Sequence, residues 1–323
     1  MKLLIQKNED GSKVDLAIHA RSTGMSRRKI RRLLDEGRVA INGKKIRFAS
    51  YRVRAGDQVT LAMSPQFTTK SSPPPVQMPP EDLKILYEDR DIMAFDKPAG
   101  VLSEGRSSER GTPCSTLLDM AKSITPEKLE ENLSLRLCHR LDKETSGVIV
   151  VAKSPKSCDW VGQQFKHRLT KKVYHALCYG VPTKGSWETT FYLSPISKNS
   201  GRVERRFSGG KWSHTAFKVL RSDKELGLSL VECRPTTGRS HQIRIHLELS
   251  GFPILGDKKY GSENTACHLP ANIAHLSYRR HFLHAKTLSL KPSPEKEAHT
   301  IACPYPKDFS QVLRAGNFHD VPH

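Results

Sequence analysis

The stretch from Leu137 to Lys153 reads L-C-H-R-L-D-K-E-T-S-G-V-I-V-V-A-K. Its second half, Val148 to Ala152, is an unbroken apolar run, the composition of a strand buried on both faces. Ahead of it stand His139, Arg140, Asp142, Lys143, Glu144, Thr145 and Ser146, closed by Gly147. A loop crowded with ionisable and hydroxyl groups and anchored on a core strand is held rigidly, and rigid placement is what chemistry needs. Two readings stay open from this stretch alone. Asp142 is either one charge of a salt-bridged turn, paired with Arg140 or Lys143, or a reactive carboxylate.

Working outward, Ser154-Pro155 caps a helix in which Val161, Phe165 and Leu169 recur every four residues. Lys171 to Leu177 reads as the next strand. Residues 180–213 read as loop-rich, with Gly201, Gly209, Gly210 and a basic cluster, Arg202, Arg205, Arg206 and Lys211, that is either a phosphate contact or a solvated loop. A strand from Leu228 to Cys233 leads into P-T-T-G-R-S-H-Q-I-R-I-H-L-E-L-S-G, where Ser240 is placed to cap a helix ended by Gly251, with Arg239 at its entrance. Phe282 to Ala285 and Thr287 to Leu290 read as closing strands, and the tail from Pro304 is weakly patterned. On the N-terminal side, L-K-I-L-Y-E-D-R-D-I-M-A-F-D gives two short strands around an acidic turn. The Lys97-Pro98-Ala99-Gly100 turn follows, then a loop and a helix around Leu117, Leu118 and Ala121.

Residues 64–80, S-P-Q-F-T-T-K-S-S-P-P-P-V-Q-M-P-P, are a Pro/Ser-rich linker. Residues 1–63 before it form a distinct basic unit with fifteen Lys/Arg against six Asp/Glu. Val14, Ala17 and Ile18 share a helical face. Ser26 is placed to cap a second helix on which Ile30, Leu33 and Leu34 face inward and Arg28, Arg31 and Arg32 outward. Asn42-Gly43 is the favoured type I′ turn of a hairpin, and Gln58 to Ala62 a further strand. An arginine row opposite an apolar stripe is usually a solvated face. Here four arginines and a lysine crowd into Arg27 to Arg32, which repel one another unless phosphates neutralise them.

The whole chain has 323 residues, 37% of them hydrophobic and 27% charged, the profile of a globular protein with two domains. Its net charge of +20 points to a polyanionic partner, nucleic acid before anionic membrane. No segment approaches the ~18 consecutive apolar residues of a membrane span. The N-terminus turns polar after three apolar residues, so no signal peptide is expected and the chain is expected in the cytoplasm. Seven cysteines are scattered without a C-x-x-C or zinc spacing, and His281 and His284 have no nearby third ligand, so no metal is expected. A serine hydrolase is disfavoured because no G-x-S-x-G elbow occurs.

Two resemblances follow from these residues. S-R-R-K-I-R-R-L-L-D-E-G-R-V-A-I-N-G-K, within Lys13 to Met63, resembles the small RNA-binding domain of ribosomal small-subunit protein four, the S-four module. That implies binding of structured RNA by shape and backbone contacts. His139-Arg140-Leu141-Asp142 with Thr145-Ser146-Gly147, Lys172 to Ala176, Thr237 to His246 and Phe282 to Ala285 resemble, in order, the motifs of the RluA-type pseudouridine synthases. Ser103-Glu104 is a departure, in a region where many relatives carry a histidine.

The resemblance implies an α+β chain. A small S-four-like RNA-binding domain (1–63) and the linker (64–80) precede a pseudouridine synthase domain (81–323) built on a mixed, largely antiparallel β-sheet flanked by helices. It implies an isomerase without metal, nucleotide or redox cofactor, acting on structured RNA, ribosomal RNA foremost, as a monomer with no obligate protein partner. It assigns Asp142, Tyr174 and Arg239 as catalytic. Arg239 would be the counter-charge that lowers the Asp142 pKa, and Tyr174 the ring beneath the flipped uracil. Arg140 would fill the gap left by the base, Leu283 would form an apolar wall, and Arg28, Arg31 and Arg32 would contact RNA. Each also has a plainer reading, Tyr174 as a core tyrosine and Arg239 with Thr237 as a helix cap. The competing functions are a catalytically inactive RNA-binding or ribosome-assembly factor on the same fold, and a synthase acting on transfer RNA.

Overall fold

The computed structural model describes residues 2–21, 25–35, 39–46, 51–61, 78–105, 116–125, 134–197, 200–261, 276, 280–316 and 318. The chain divides into two compact units, Met1–Ser72 and Pro73–His323. Of the segment 64–80 expected as a linker, 64–77 lie outside the described residues.

In the first unit, helices α1 (Val14–Arg21) and α2 (Arg27–Asp35) accompany an antiparallel sheet of order β1-β4-β2-β3. Its strands are β1 (Lys2–Leu4), β2 (Val39–Ile41), β3 (Lys44–Ile46) and β4 (Gln58–Leu61). Ile18, Ile30, Leu34, Val39 and Val59 are fully buried together, so the helical spacing of the apolar residues does become the core. Asn42 and Gly43 both take positive φ, 52° and 82°, the type I′ geometry of the β2–β3 hairpin. The basic row differs in one respect from its expected outward, phosphate-seeking role. Arg27 and Arg31 reach the buried carboxylate of Asp15 on α1 at 3.1 and 3.0 Å. Burial opposes ionisation of Asp15, but the bonds and charges of the two arginines outweigh it and hold its pKa below the ordinary value. The side chains of Arg28 and Arg32 lie outside the described residues.

The second unit is organised on an eleven-stranded sheet whose main path runs β11-β10-β12-β13-β9-β14-β8-β6-β5. Its strands are β5 (Ile85–Glu88), β6 (Ile92–Lys97), β7 (Arg136–Leu137), β8 (Ser146–Ala152), β9 (Lys171–Tyr179), β10 (Ser186–Leu193), β11 (Arg205–Arg206), β12 (Lys211–Asp223), β13 (Leu228–Pro235), β14 (Leu283–Leu290) and β15 (His299–Ala302). The β8–β14 pair is parallel and the other pairings are antiparallel. The helices are α3 (Leu117–Ile124), α4 (Pro155–Lys166), α5 (Gln242–Leu249) and α6 (Lys307–Ala315).

Strand β8 is buried along its whole length. Ile149 and Val151 pack on Leu117 and Met120 of α3, while Val148 and Val150 enter a second core with Val161 of α4 and Leu288 and Leu290 of β14. The apolar run thus serves two cores at once, because alternate side chains of a strand leave opposite faces. Several boundaries differ from the sequence reading. The loop-rich reading of 180–213 misses β10, in which exposed positions alternate with half-buried or buried ones. Leu169 lies beyond the end of α4 and is exposed. The two closing strands are one, β14, with a pairing irregularity between Ala285 and Thr287. The weakly patterned tail contains α6, which buries Phe309, Val312 and Leu313.

Candidate active site

Three sheet elements converge on one cavity. Asp142 sits in the connection between β7 and β8, and Tyr174 on β9 pairs in register with Ala285 of β14, next to Leu283. Arg239 belongs to the turn between β13 and α5. Asp142, Tyr174, Arg239, Arg140 and Leu283 all line a cavity of about 760 Å³, room enough for a nucleotide. Leu283 is buried and gives an apolar wall; Arg140 is exposed. Arg31 belongs to the first unit.

The partner expected for Asp142 is corrected. Arg244, not Arg239, donates from Nη1 to Asp142 Oδ2 at 2.9 Å. Arg239 spends its Nε–H on the backbone carbonyl of Trp212, at 3.1 Å. The local reason is where α5 begins. Ser240 does not cap it; His241, in left-handed geometry (φ 54°), is the residue before the first turn. The first helical residue, Gln242, ties the entry together. Its Oε1 accepts from Thr237 Oγ1 (2.7 Å) and Arg239 N–H (3.0 Å), and its Nε2 donates to the His214 carbonyl (2.9 Å) and Thr215 Oγ1 (3.0 Å). With the helix starting there, Arg244 turns inward. Its remaining donors grip Asp257, Nε to Oδ2 at 2.7 Å and Nη2 to Oδ1 at 2.8 Å. Such a two-pronged bond fixes the guanidinium plane before it meets Asp142.

Burial works against ionising Asp142, and the charges of His241, Arg244 and His281, with the Arg244 hydrogen bond, more than offset it, so its pKa lies below the ordinary carboxylate value. Burial also drives both histidines toward the neutral form, His281 to about 3. The lasting counter-charge at neutral pH is therefore Arg244. Asp257 is held down to about 2, since the Arg244 bond and charge overcome its burial. The Tyr174 phenol is pushed well up, first by burial and then by the negative charge of Asp142, and stays protonated.

The loop bearing Asp142 is braced from below by groups that the sequence reading left unassigned. Lys97 at the end of β6 is fully buried and donates to the carbonyls of Pro98, Lys143 and Thr145 at 3.0, 3.0 and 2.8 Å. Burial lowers its pKa to about 7. Ser103, in the region where a histidine was expected, donates from Oγ to the Leu141 carbonyl (2.9 Å) and accepts from the Leu141 N–H (3.1 Å). Glu104 lines the cavity and is exposed. His139 accepts at Nε2 from the Val150 N–H (3.0 Å) and stacks on Phe165. His281 and His284 meet Thr145 Oγ1 and Ser146 Oγ at 2.8 and 3.0 Å. Lys143, a candidate ion-pair partner of Asp142 on the sequence reading, contributes its backbone carbonyl here, accepting from Lys97 Nζ and the Gly100 N–H. Buried donors that hold backbone carbonyls are invisible in a sequence, since any element can supply them. Arg244 had a weak signal, standing three residues after His241 in the quoted H-Q-I-R segment.

Comparison with known proteins adds an independent line. Residues 91–249 match the family model described as RNA pseudouridylate synthase, and residues 20–59 match the S4 domain. An uncharacterised RNA pseudouridine synthase of Chlorobaculum parvum is 33% identical over 97% of this chain and 96% of its own. The ribosomal large subunit pseudouridine synthase C of Escherichia coli K12 is 30% identical over 96% of this chain and 94% of its own. Among solved structures, human RNA pseudouridylate synthase domain containing 4 matches with a TM-score of 0.56 and 30% identity, over 71% of this chain and 91% of that one.

Proposed function

Since this chain belongs to the RNA pseudouridine synthase family and is an isomerase carrying an S4 RNA-binding domain, we propose that it isomerises uridine in large-subunit ribosomal RNA with Asp142 as the essential carboxylate. The observation that carries the mechanism is the ionised, fixed Asp142 facing Tyr174 across one cavity. The ribosomal substrate is supported by the similarity to the Escherichia coli ribosomal large subunit pseudouridine synthase C and by the +20 charge.

The target base is extruded from its stack, which costs a few kcal/mol. Phosphate contacts by basic side chains offset that cost. Asp142, as nucleophile or base at the ribose, assists rupture of the bond between C1′ and uracil N1. The freed uracil turns over the Tyr174 ring and rejoins through carbon 5; the proton on carbon 5 leaves, and nitrogen 1, no longer bonded to the sugar, takes one up from the medium. Base and sugar both stay in the product, so atoms balance without a co-substrate. Tyr174 supplies the stacking face and a hydroxyl for passing on that proton, Leu283 an apolar wall, and Arg140 a side chain to fill the vacated stack. Arg244 holds Asp142 charged and oriented. Arg239, through the Trp212 carbonyl, shapes the cavity wall.

Transcripts of large-subunit ribosomal RNA and of transfer RNA, tritiated at uracil carbon 5, test the substrate. Release from the ribosomal transcript is expected. Release from transfer RNA alone would overturn the substrate, and release from neither would leave a binding factor.

A further inference from the structure

Beside the cavity the sheet carries a row of side chains with no part in the isomerisation. Tyr192 on β10 pairs directly with Arg206 on β11 and with Trp212 on β12. Directly paired residues of an antiparallel ladder project from the same face, so Arg206, Tyr192 and Trp212 form one line across three strands. Tyr192 is 49% exposed and Arg206 is exposed. The line ends at the cavity. The Arg168 guanidinium lies over the Trp212 ring, 4.9 Å from its centroid, and Arg168 itself lines the cavity. Arg168 takes a left-handed backbone (φ 60°), and among the described non-glycine residues only Asn42 and His241 share that feature. Backbone of that kind costs of order 1 kcal/mol and persists where a side chain must be aimed.

The geometry points to a stacking platform, Arg206–Tyr192–Trp212–Arg168, for the unpaired RNA nucleotides flanking the target uridine, and this inference rests on the reading of the cavity as a synthase site. Three features favour RNA as the occupant. Alternating rings and guanidinium planes are what splayed bases stack upon. The adjoining segment 200–211 holds four Lys/Arg and one acid, Glu204, which suits a phosphate backbone. The rest of that face on β10 and β12 is mainly polar, with Glu188, Thr190 and His214 beside Ala216 and His214 bonded to Glu188 at 3.2 Å, which suits a polar partner better than an apolar one. The row is continuous with the cavity, so a strand lying on it delivers its next base to Asp142.

The test uses the full-length chain with Tyr192→Ala, Arg206→Ala and the conservative Trp212→Phe, and Arg221→Ala on the far end of β12 as a control for charge. Two readouts are made: tritium release from the ribosomal transcript, and binding of fluorescein-labelled oligouridylate beside an abasic oligomer of equal length. Tyr192→Ala is expected to weaken oligouridylate binding and raise KM roughly tenfold, while leaving kcat and abasic binding near wild type. Arg206→Ala is expected to lower the salt dependence by about one phosphate contact. Arg221→Ala is expected to behave as wild type, while Trp212→Phe, which keeps a smaller ring, is expected to weaken oligouridylate binding less than Tyr192→Ala does. Unchanged KM and oligouridylate affinity in Tyr192→Ala, with tritium still released, would overturn the platform and leave the synthase reading intact. An equal loss on the abasic oligomer would overturn stacking. If the wild type released no tritium but oligouridylate affinity still fell in Tyr192→Ala, the synthase reading would fail and the platform would stand.

Discussion

Asp142 keeps its charge in a partly enclosed cavity because Arg244 lies 2.9 Å away and is itself locked by Asp257. Its folded pKa is below the unfolded value, so its favourable contribution is present above the ordinary carboxylate range and is lost as pH falls through the lowered value. Arg244→Ala removes the counter-charge and raises that pKa. The acid limb of the kcat–pH profile should therefore move to higher pH, and the melting temperature should fall, since an orphaned Asp257 costs roughly 3–5 kcal/mol. An unmoved acid limb would show that Arg244 does not set the ionisation of Asp142. Tyr174→Phe keeps the ring and loses the hydroxyl, so RNA affinity should persist while tritium release slows by about a hundredfold. Equal losses in affinity and rate would show that the hydroxyl serves binding. At this scale the sequence singled out Asp142 and Tyr174, and the structure brings both to one cavity, Asp142 from the β7–β8 connection and Tyr174 from within β9. It misdirected the counter-charge, because the choice between Arg239 and Arg244 is set by contacts that composition does not reveal, Arg239 on the Trp212 carbonyl and Arg244 on Asp257.

Strand β8 and the loop before it act as one part, and their backbones leave no room for variation at Gly147. Gly147 has φ 115° beside β14, and an added Cβ would lie 2.2 Å from the Ala285 carbonyl oxygen. Gly147→Ala should destabilise the fold by more than about 2 kcal/mol, seen as a melting temperature lower by several degrees. A wild-type melt would mean that β14 yields easily at this point. Ser103→Ala should lower kcat more than it raises KM, since the hydroxyl it removes holds the Leu141 backbone next to Asp142; an unchanged kcat would show that this brace does not position Asp142. β8 was readable because it is apolar without a break from Val148 to Ala152. β10 was not, because only alternate positions are buried and its neighbours are glycines and arginines. α6 hid in a short polar segment whose three buried residues gain meaning only against α5 and the sheet.

Across the whole molecule, the +20 charge and the buried histidines make opposite demands on solution conditions. RNA binding should weaken steeply with salt, and a flat dependence would contradict a phosphate-led interaction. His281 and His284 are kept neutral by burial, each with a pKa near 3. Their folded values lie below the unfolded one, so the stability they lend is present above about pH 6.5 and is lost as pH falls toward 3, roughly 1.4 kcal/mol per pH unit for each. Melts at pH 7 and pH 4.5 should therefore differ by many degrees; equal melts would mean that these rings accept protons without cost. Neither ring was singled out for this in the sequence, where they are two histidines three residues apart.

The central claim, that one carboxylate runs the isomerisation, is tested by Asp142→Asn, which preserves shape and removes charge. With ribosomal RNA tritiated at uracil carbon 5, the wild type should release label and Asp142→Asn should release none, while both bind the RNA with similar affinity. Normal turnover by Asp142→Asn would contradict the account.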